Sequence, residues 1–304
     1  MDESKPTLVL DRVTKSFGDF TAVSDLSLQV KPGRVFGLIG PNGAGKTTTI
    51  RMIVNITVPD SGRIELLGQR MTTALQDRIG YLPEERGLYR KMKVGEQLRF
   101  FAELKDLSGR EADARIDKWL RILQLTEWKE KRTKDLSKGM QQKVQFITAV
   151  IHDPDLLILD EPFSGLDPVN VDVMKETILE LRRANKTIIL STHQMEIAEK
   201  LCDDVCMINK SRKVFDGRLR DIRRSFARNA VCVRFEGTDG LLNDPEIVTN
   251  IREVGEDFEV LLAPGANAQT LLKRLVDAGV VIRKFELVEP SLHDIFVARV
   301  RESA

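Results

Sequence analysis

Between Gly40 and Thr47 the chain reads Gly-Pro-Asn-Gly-Ala-Gly-Lys-Thr. Gly40, Gly43 and Gly45, spaced by Pro41, Asn42 and Ala44, let the backbone curl until several N–H groups point at one anion. Lys46 adds a point charge to that cradle. Thr47 offers a hydroxyl that can ligate Mg²⁺. The apolar run at 34–39 reads as a buried strand entering the loop. Thr48 and the residues up to 54 open a helix whose positive N-terminal end faces the same anion. Gly-rich turns also occur without ligands. With strand, Lys-Thr pair and helix in place, the segment is expected to bind a nucleoside triphosphate.

A second constellation follows the apolar run at 156–159, where Asp160, Glu161 and Pro162 stand together. An acid at the C-terminal end of a buried strand is where a parallel α/β sheet presents groups to ligands. Asp160 is placed to hold Mg²⁺ opposite Thr47, directly or through water. Glu161, one residue further out, is placed to accept a proton from an attacking water near the γ-phosphate. Taken alone, Asp-Glu-Pro is a helix-start signal; downstream of a phosphate loop the catalytic reading is preferred. His193 ends the run 187–193 at another strand terminus and is placed to donate a hydrogen bond to the γ-phosphate. His152 and His293 have no such setting and read as structural.

Around these groups the composition is that of a globular protein. The chain has 304 residues, 42% hydrophobic and 31% charged, enough to bury a sizeable core. A formal net charge of +1 argues against nucleic acid as the main partner. No stretch approaches the apolar length of a membrane span, and the polar start, Met1 to Pro6, lacks the apolar core of a signal peptide. Of the three cysteines, Cys202 and Cys206 are expected one helical turn apart in an apolar segment, and Cys232 in a strand. Buried thiols in a reducing cytosol are preferred to a metal site, since a fourth ligand is missing.

Two pieces are expected along the chain. Residues 1–228 alternate strands and helices around the phosphate loop. Segments 8–13, 24–30 and 62–67 alternate like half-buried antiparallel strands, and 156–159 and 187–190 are continuous apolar runs suited to central parallel strands. A helical region spans about 94–150, with Leu98, Phe101, Leu104, Ile116, Leu120, Leu123 and Leu125 at near-helical intervals in its first part. Residues 229–304 read as a small α+β module: strands at 230–235, 247–254, 258–262 and 280–287, helices at 268–278 and 291–300. The segment 210–228 between the pieces carries eight basic residues. A solvated helix face explains them, with acidic lipid headgroups as the alternative.

Between the two phosphate motifs lie Leu136, Ser137, Lys138, Gly139, Met140 and Gln141. With these in view the chain resembles the ATP-binding subunits of ABC transporters, whose signature has the form Leu-Ser-Gly-Gly-Gln. Ser137 and Gly139 are kept, while Lys138 and Met140 stand where the family has glycine and glutamine. Ser137 and the Gly139 backbone offer helix N-terminal donors to an anion. In the family that anion is the γ-phosphate of ATP held by the other subunit. Phe17 matches the aromatic residue that stacks on adenine, with an ordinary core role as its alternative. The segment from Ser164 to Asp167 matches the one that lines the dimer interface, and His193 the switch histidine. Glu84 occupies the slot of a family glutamine that contacts Mg²⁺ or the attacking water. A carboxylate there ligates Mg²⁺ more strongly than an amide; the alternative has Glu84 in solvent, paired with Arg86.

The resemblance implies an α/β P-loop NTPase core, a mostly parallel sheet with antiparallel β and helical subdomains, plus the small C-terminal domain. It implies ATP and Mg²⁺ as ligands, a homodimer or a heterodimer with a related subunit, and an integral membrane permease as partner. The location implied is cytoplasmic, peripheral on the inner face of the membrane. The variant loop at Glu84 with a C-terminal module is similar to a subgroup working with six-helix permeases in sodium extrusion and drug efflux. That similarity favours export. The competing expectation is a soluble ABC ATPase acting on the ribosome or DNA.

Overall fold

The computed structural model describes residues 5–85, 87–226, 229–236, 239–242 and 244–302. The chain divides into two compact units, residues 1–219 and 220–304. That division falls earlier than residue 228, at the start of a helix, Leu219–Phe226, expected as part of the first piece. The helix belongs with the second unit because Arg223 donates to Pro290 O at 3.1 Å and Arg299 lies over the Phe226 ring.

In the first unit, β1 (Leu8–Phe17) and β2 (Phe20–Val30) form an antiparallel hairpin. β3 (Val35–Ile39) leads into the phosphate loop and α1 (Lys46–Ile53) leaves it. β4 (Ser61–Leu66) and β5 (Gln69–Arg70) complete an antiparallel sheet of order β2-β1-β4-β5. β6 (Ile79–Leu82) precedes three helices, α2 (Val94–Glu103), α3 (Gly109–Ile122) and α4 (Lys138–Val150). Then follow β7 (Leu156–Asp160), α5 (Pro168–Arg183), β8 (Thr187–Thr192), α6 (Met195–Leu201), β9 (Asp204–Asn209) and β10 (Arg212–Arg218).

The main sheet has the order β10-β9-β3-β8-β7-β6, parallel except for the β10–β9 edge pair. β3, β7 and β8 are buried at every position, which is why they read as continuous apolar runs rather than alternating ones. Leu8, Leu10 and Leu28 of the antiparallel sheet share a core with Phe36, Ile50 and Ile158. That shared core fixes the loop between β3 and α1 against both sheets.

Three local expectations are corrected. β2 begins at Phe20 rather than residue 24: it pairs with β1 from the turn onward, and Ala22 and Val23, both buried, break the alternation before residue 24. Leu104 is 61% exposed, since it follows the last turn of α2; Leu98, Ile116, Leu120, Leu123 and Leu125 are buried. Cys202 ends α6 and Cys206 lies in β9, so they do not share a helix. Both thiols are buried, and burial pushes both far above their ordinary pKa.

The second unit continues α7 (Leu219–Phe226) with β11 (Ala230–Glu236), β12 (Val248–Val254), β13 (Asp257–Leu262), α8 (Ala268–Asp277), β14 (Val281–Leu287) and α9 (Leu292–Glu302). Its antiparallel sheet, β12-β13-β11-β14, buries Val231, Val233 and Val260 with Leu271 and Leu275 of α8. Asn267 caps α8 by accepting from Thr270 N at 2.9 Å.

Candidate active site

The phosphate loop is shaped by backbone proximity. A Cβ on Gly40 (φ 152) would meet Ile208 O at 2.1 Å, and one on Gly45 (φ 109) would meet Ala22 O at 2.3 Å. Both positions therefore require glycine. α1 begins at Lys46 without a side-chain cap and without an acid in its first turn. Its N-terminal N–H groups stay available to an anion. The turn after β9 fastens this loop: Ser211 N donates to Ala44 O (3.2 Å), and Ser211 Oγ donates to Thr21 O (2.6 Å). Ser211 O also accepts from Ser24 N at 2.8 Å.

The C-terminal ends of β3, β6, β7 and β8 converge here, as parallel strands of one sheet must. One pocket of about 460 Å³ is lined by Asn42, Gly43, Gly45, Lys46, Thr47 and Thr48 together with Glu84, Asp160 and Glu161. Phe20 and Ala22 complete its wall. Lys46 Nζ folds back to donate to Gly40 O (2.8 Å) and Pro41 O (3.1 Å). Burial lowers its pKa, and the charges of Glu161, Asp160 and Glu84 oppose that shift.

Asp160 is fully buried and neither carboxyl oxygen has a hydrogen-bond partner of normal geometry. Burial raises its pKa; the nearby Ser191 and Thr47 hydroxyls work against this, while Glu84 and Glu161 add to it. An orphaned buried carboxylate beside a threonine hydroxyl is an all-oxygen donor set that fits a hard divalent cation. Among the described residues no cluster of three acidic, histidine or cysteine side chains could hold a metal alone. Such an ion therefore needs phosphate or water oxygens to complete its shell.

Glu161 is held in a left-handed conformation (φ 49), uncommon for a non-glycine residue and a feature of strained functional positions. Its Oε1 accepts from the backbone N of His193 (2.9 Å) and pairs with Nδ1 of the same residue (2.8 Å). Its Oε2 accepts from Thr192 Oγ1 at 3.2 Å. His193 is thus tied to Glu161 without itself lining the pocket. The loop carrying Glu84 is braced from α4, where Gln145 donates to Pro83 O (3.4 Å) and Glu85 O (3.0 Å). Arg86, the alternative partner for Glu84, lies outside the described residues.

Besides His193 and the loop residues Gly40, Pro41 and Ala44, three more expected residues lie outside the pocket wall. Ser137 caps α4, accepting from Met140 N at 3.2 Å, and Gly139 packs against Leu166. Phe17 is 54% exposed at the β1–β2 turn, which removes its core alternative. Lys15 Nζ sits 5.5 Å from its ring centroid. Phe20, Ala22, Thr192 and Ser211 belong to the site or its bracing without being among the residues expected there. Only Phe20 carried a signal, an aromatic beside the Gly18-Asp19 turn.

Residues 23–164 match the ABC transporter family, and residues 217–300 match the C-terminal domain of DrrA1-3-like ATP-binding proteins. An uncharacterized ABC transporter ATP-binding protein of Bacillus subtilis, YhaQ, is 44% identical over 96% of this chain and 98% of its own length. The chain belongs to the ABC transporter ATP-binding proteins. The Nod factor export ATP-binding protein I of Cupriavidus metallidurans is 40% identical over 71% of this chain and 72% of its own. A solved ATP-binding subunit of an ABC transporter superposes with a TM-score of 0.68 at 34% identity, over 72% of this chain and 93% of that one. As a member of this family the chain binds nucleotide and is an ATPase, and its nucleotide core is the P-loop NTPase fold. Among the described residues no helix is long and apolar enough to cross a membrane.

Proposed function

We propose that this ABC transporter ATP-binding protein drives a separate membrane permease, in the export direction, by closing and reopening a dimer on ATP. The observation that carries this reading is the incompleteness of the pocket. Lys46, Thr47, Asp160 and Glu161 line it, whereas Ser137 and Gly139 do not. Ser137 and Gly139 are anion donors at a helix start, and they find a phosphate only in a second copy or a related subunit. Two chains head to tail would then enclose each ATP between the phosphate loop of one and Ser137 and Gly139 of the other. ATP closes such a dimer by its higher affinity for the closed state.

Within the site, Lys46 leaves the Gly40 and Pro41 carbonyls for the phosphates, and Glu161 orients and deprotonates the attacking water. Mg²⁺, held by Thr47 and Asp160 with Glu84 beside them, would neutralise charge developing on the phosphates. His193 reaches the γ-phosphate when it releases Glu161, and Phe17 takes the adenine. Motion passes to the permease through a groove of about 420 Å³, where Tyr81, Pro83 and Leu88 face Phe101, Gln145 and Thr148. The export direction is supported by the likeness to the Nod factor export ATP-binding proteins. The proposed location is cytoplasmic, peripheral on the inner membrane face.

The test is size-exclusion chromatography of Glu161→Gln with ATP. A nucleotide-dependent dimer is expected. A variant that stays monomeric while hydrolysing ATP at the normal rate overturns the scheme.

A further inference from the structure

Phe20 is 60% exposed and stands opposite Phe17, also exposed, so two phenylalanine rings share the surface at this turn. It lines the phosphate pocket together with Ala22, two residues along β2, so both present the same strand face to the site. Ala22 is pressed against the phosphate loop, because its carbonyl fills the space a Cβ on Gly45 would need. Ser211 fixes the neighbouring backbone by bonding Thr21 O and Ala44 O together. The distance from the loop to Phe20 is therefore set by rigid backbone rather than by a free hairpin tip.

Phe17 is the register partner of Phe20 across the turn, and directly opposed residues of an antiparallel pair point to one face. The two rings differ in surroundings. Phe17 has Lys15 Nζ over its ring, and that lysine is anchored to Asp60 at 2.6 Å. Phe17 does not reach the pocket wall, and Phe20 does.

We propose that Phe20 is a nucleoside-binding residue of this site, forming with Phe17 a two-ring platform on which the base and ribose of the nucleotide rest. The inference rests on the nucleotide site described under the proposed function and adds the residue that joins its phosphate and base regions. Stacking is tolerant of sequence and geometry because every base presents a π face.

The experiment measures equilibrium binding of ATP and of inorganic tripolyphosphate, both with Mg²⁺, to the full chain. Wild type, Phe20→Ala, Phe20→Tyr and Phe17→Ala are compared, with thermal unfolding as a check on folding. Phe20→Ala is expected to weaken ATP by about tenfold and leave tripolyphosphate unchanged, while Phe20→Tyr keeps wild-type affinity. Unchanged ATP affinity in Phe20→Ala overturns the proposal. So does an equal loss for both ligands, which would mean the phosphate loop had been disturbed. Normal ATP affinity with loss of the ATP-dependent dimer would instead make Phe20 a subunit contact and also overturn it. Wild type that binds neither ligand defeats the phosphate-site reading itself, a result distinct from failure of Phe20 alone.

Discussion

His193 grips Glu161 twice, through its backbone N at 2.9 Å and its Nδ1 at 2.8 Å, both on the same carboxylate oxygen. The other oxygen is taken by Thr192 at 3.2 Å. The carboxylate proposed to activate water is therefore engaged by the end of β8, in a pocket where the Lys46 ammonium is likewise turned onto its own loop. Lys46 and Glu161 are both held by internal partners, and nucleotide binding would exchange those partners for phosphate and water.

Separate substitutions resolve the two members of this pair. Glu161→Gln retains nucleotide binding and lowers turnover by about 10²–10⁴-fold, the usual scale for loss of a general base. His193→Ala removes the ring, which bonds Glu161 through Nδ1 or, once released, the γ-phosphate, while the backbone N–H stays on Glu161. Its loss in turnover is on the order of tenfold, the equivalent of one hydrogen bond to a charged group. Steady-state phosphate release with parallel nucleotide binding checks both. Equal losses in the two variants would contradict the division of roles.

The chemistry legible in the sequence is the chemistry carried by contiguous residues. Gly40 to Thr47 turn from β3 into α1, and Asp160 ends β7 with Glu161 next to it, so local spacing is enough to single these residues out. The parallel strands were legible because burial on both faces leaves apolar runs. Contacts between distant segments left no such trace. Ser211 joins Ala44 to Thr21, and Gln145 holds the loop beside Glu84, yet neither spacing nor residue type announces it. The start of β2 is hidden because Ala22 and Val23 are both buried and break the alternation that marks a strand.

Gly45→Ala tests the close approach of β2 to the phosphate loop. The added Cβ would meet Ala22 O at 2.3 Å in a backbone conformation (φ 109) that side chains rarely adopt. Strain of about 1–3 kcal/mol is expected from the conformation alone. Thermal unfolding should show a lowered Tm, and nucleotide affinity should fall with it. An unchanged Tm would mean that the loop and β2 are not in contact.

Thiol accessibility tests the burial of the central sheet. Cys202 and Cys206 are buried with thiols pushed far up, while Cys232 is half-buried in β11. A thiol-reactive dye at neutral pH should titrate at most one cysteine in the native protein and all three after denaturation. Cys232→Ser should abolish the native reaction. Rapid labelling of two thiols would contradict the burial of Cys202 at the end of α6 or of Cys206 in β9.

The C-terminal unit carries its own electrostatic prediction. Asp257 Oδ1 accepts from Arg234 Nε at 2.5 Å, and Oδ2 accepts from Lys284 Nζ at 3.0 Å and from the Cys232 thiol at 3.4 Å. Hydrogen bonds from Arg234 and Lys284 hold the carboxyl down to about 2. A carboxyl whose pKa is lower in the folded than in the unfolded chain stabilises the fold while ionised. That support is complete above the ordinary carboxylate range, about 4, and is lost as pH falls through about 2. Asp257→Asn should thus lower the unfolding temperature of this unit at neutral pH. The difference from wild type should close as the pH drops from about 4 to about 2. Calorimetry across that range decides it, and a difference that stays constant with pH would show that β11, β13 and β14 do not depend on this charge.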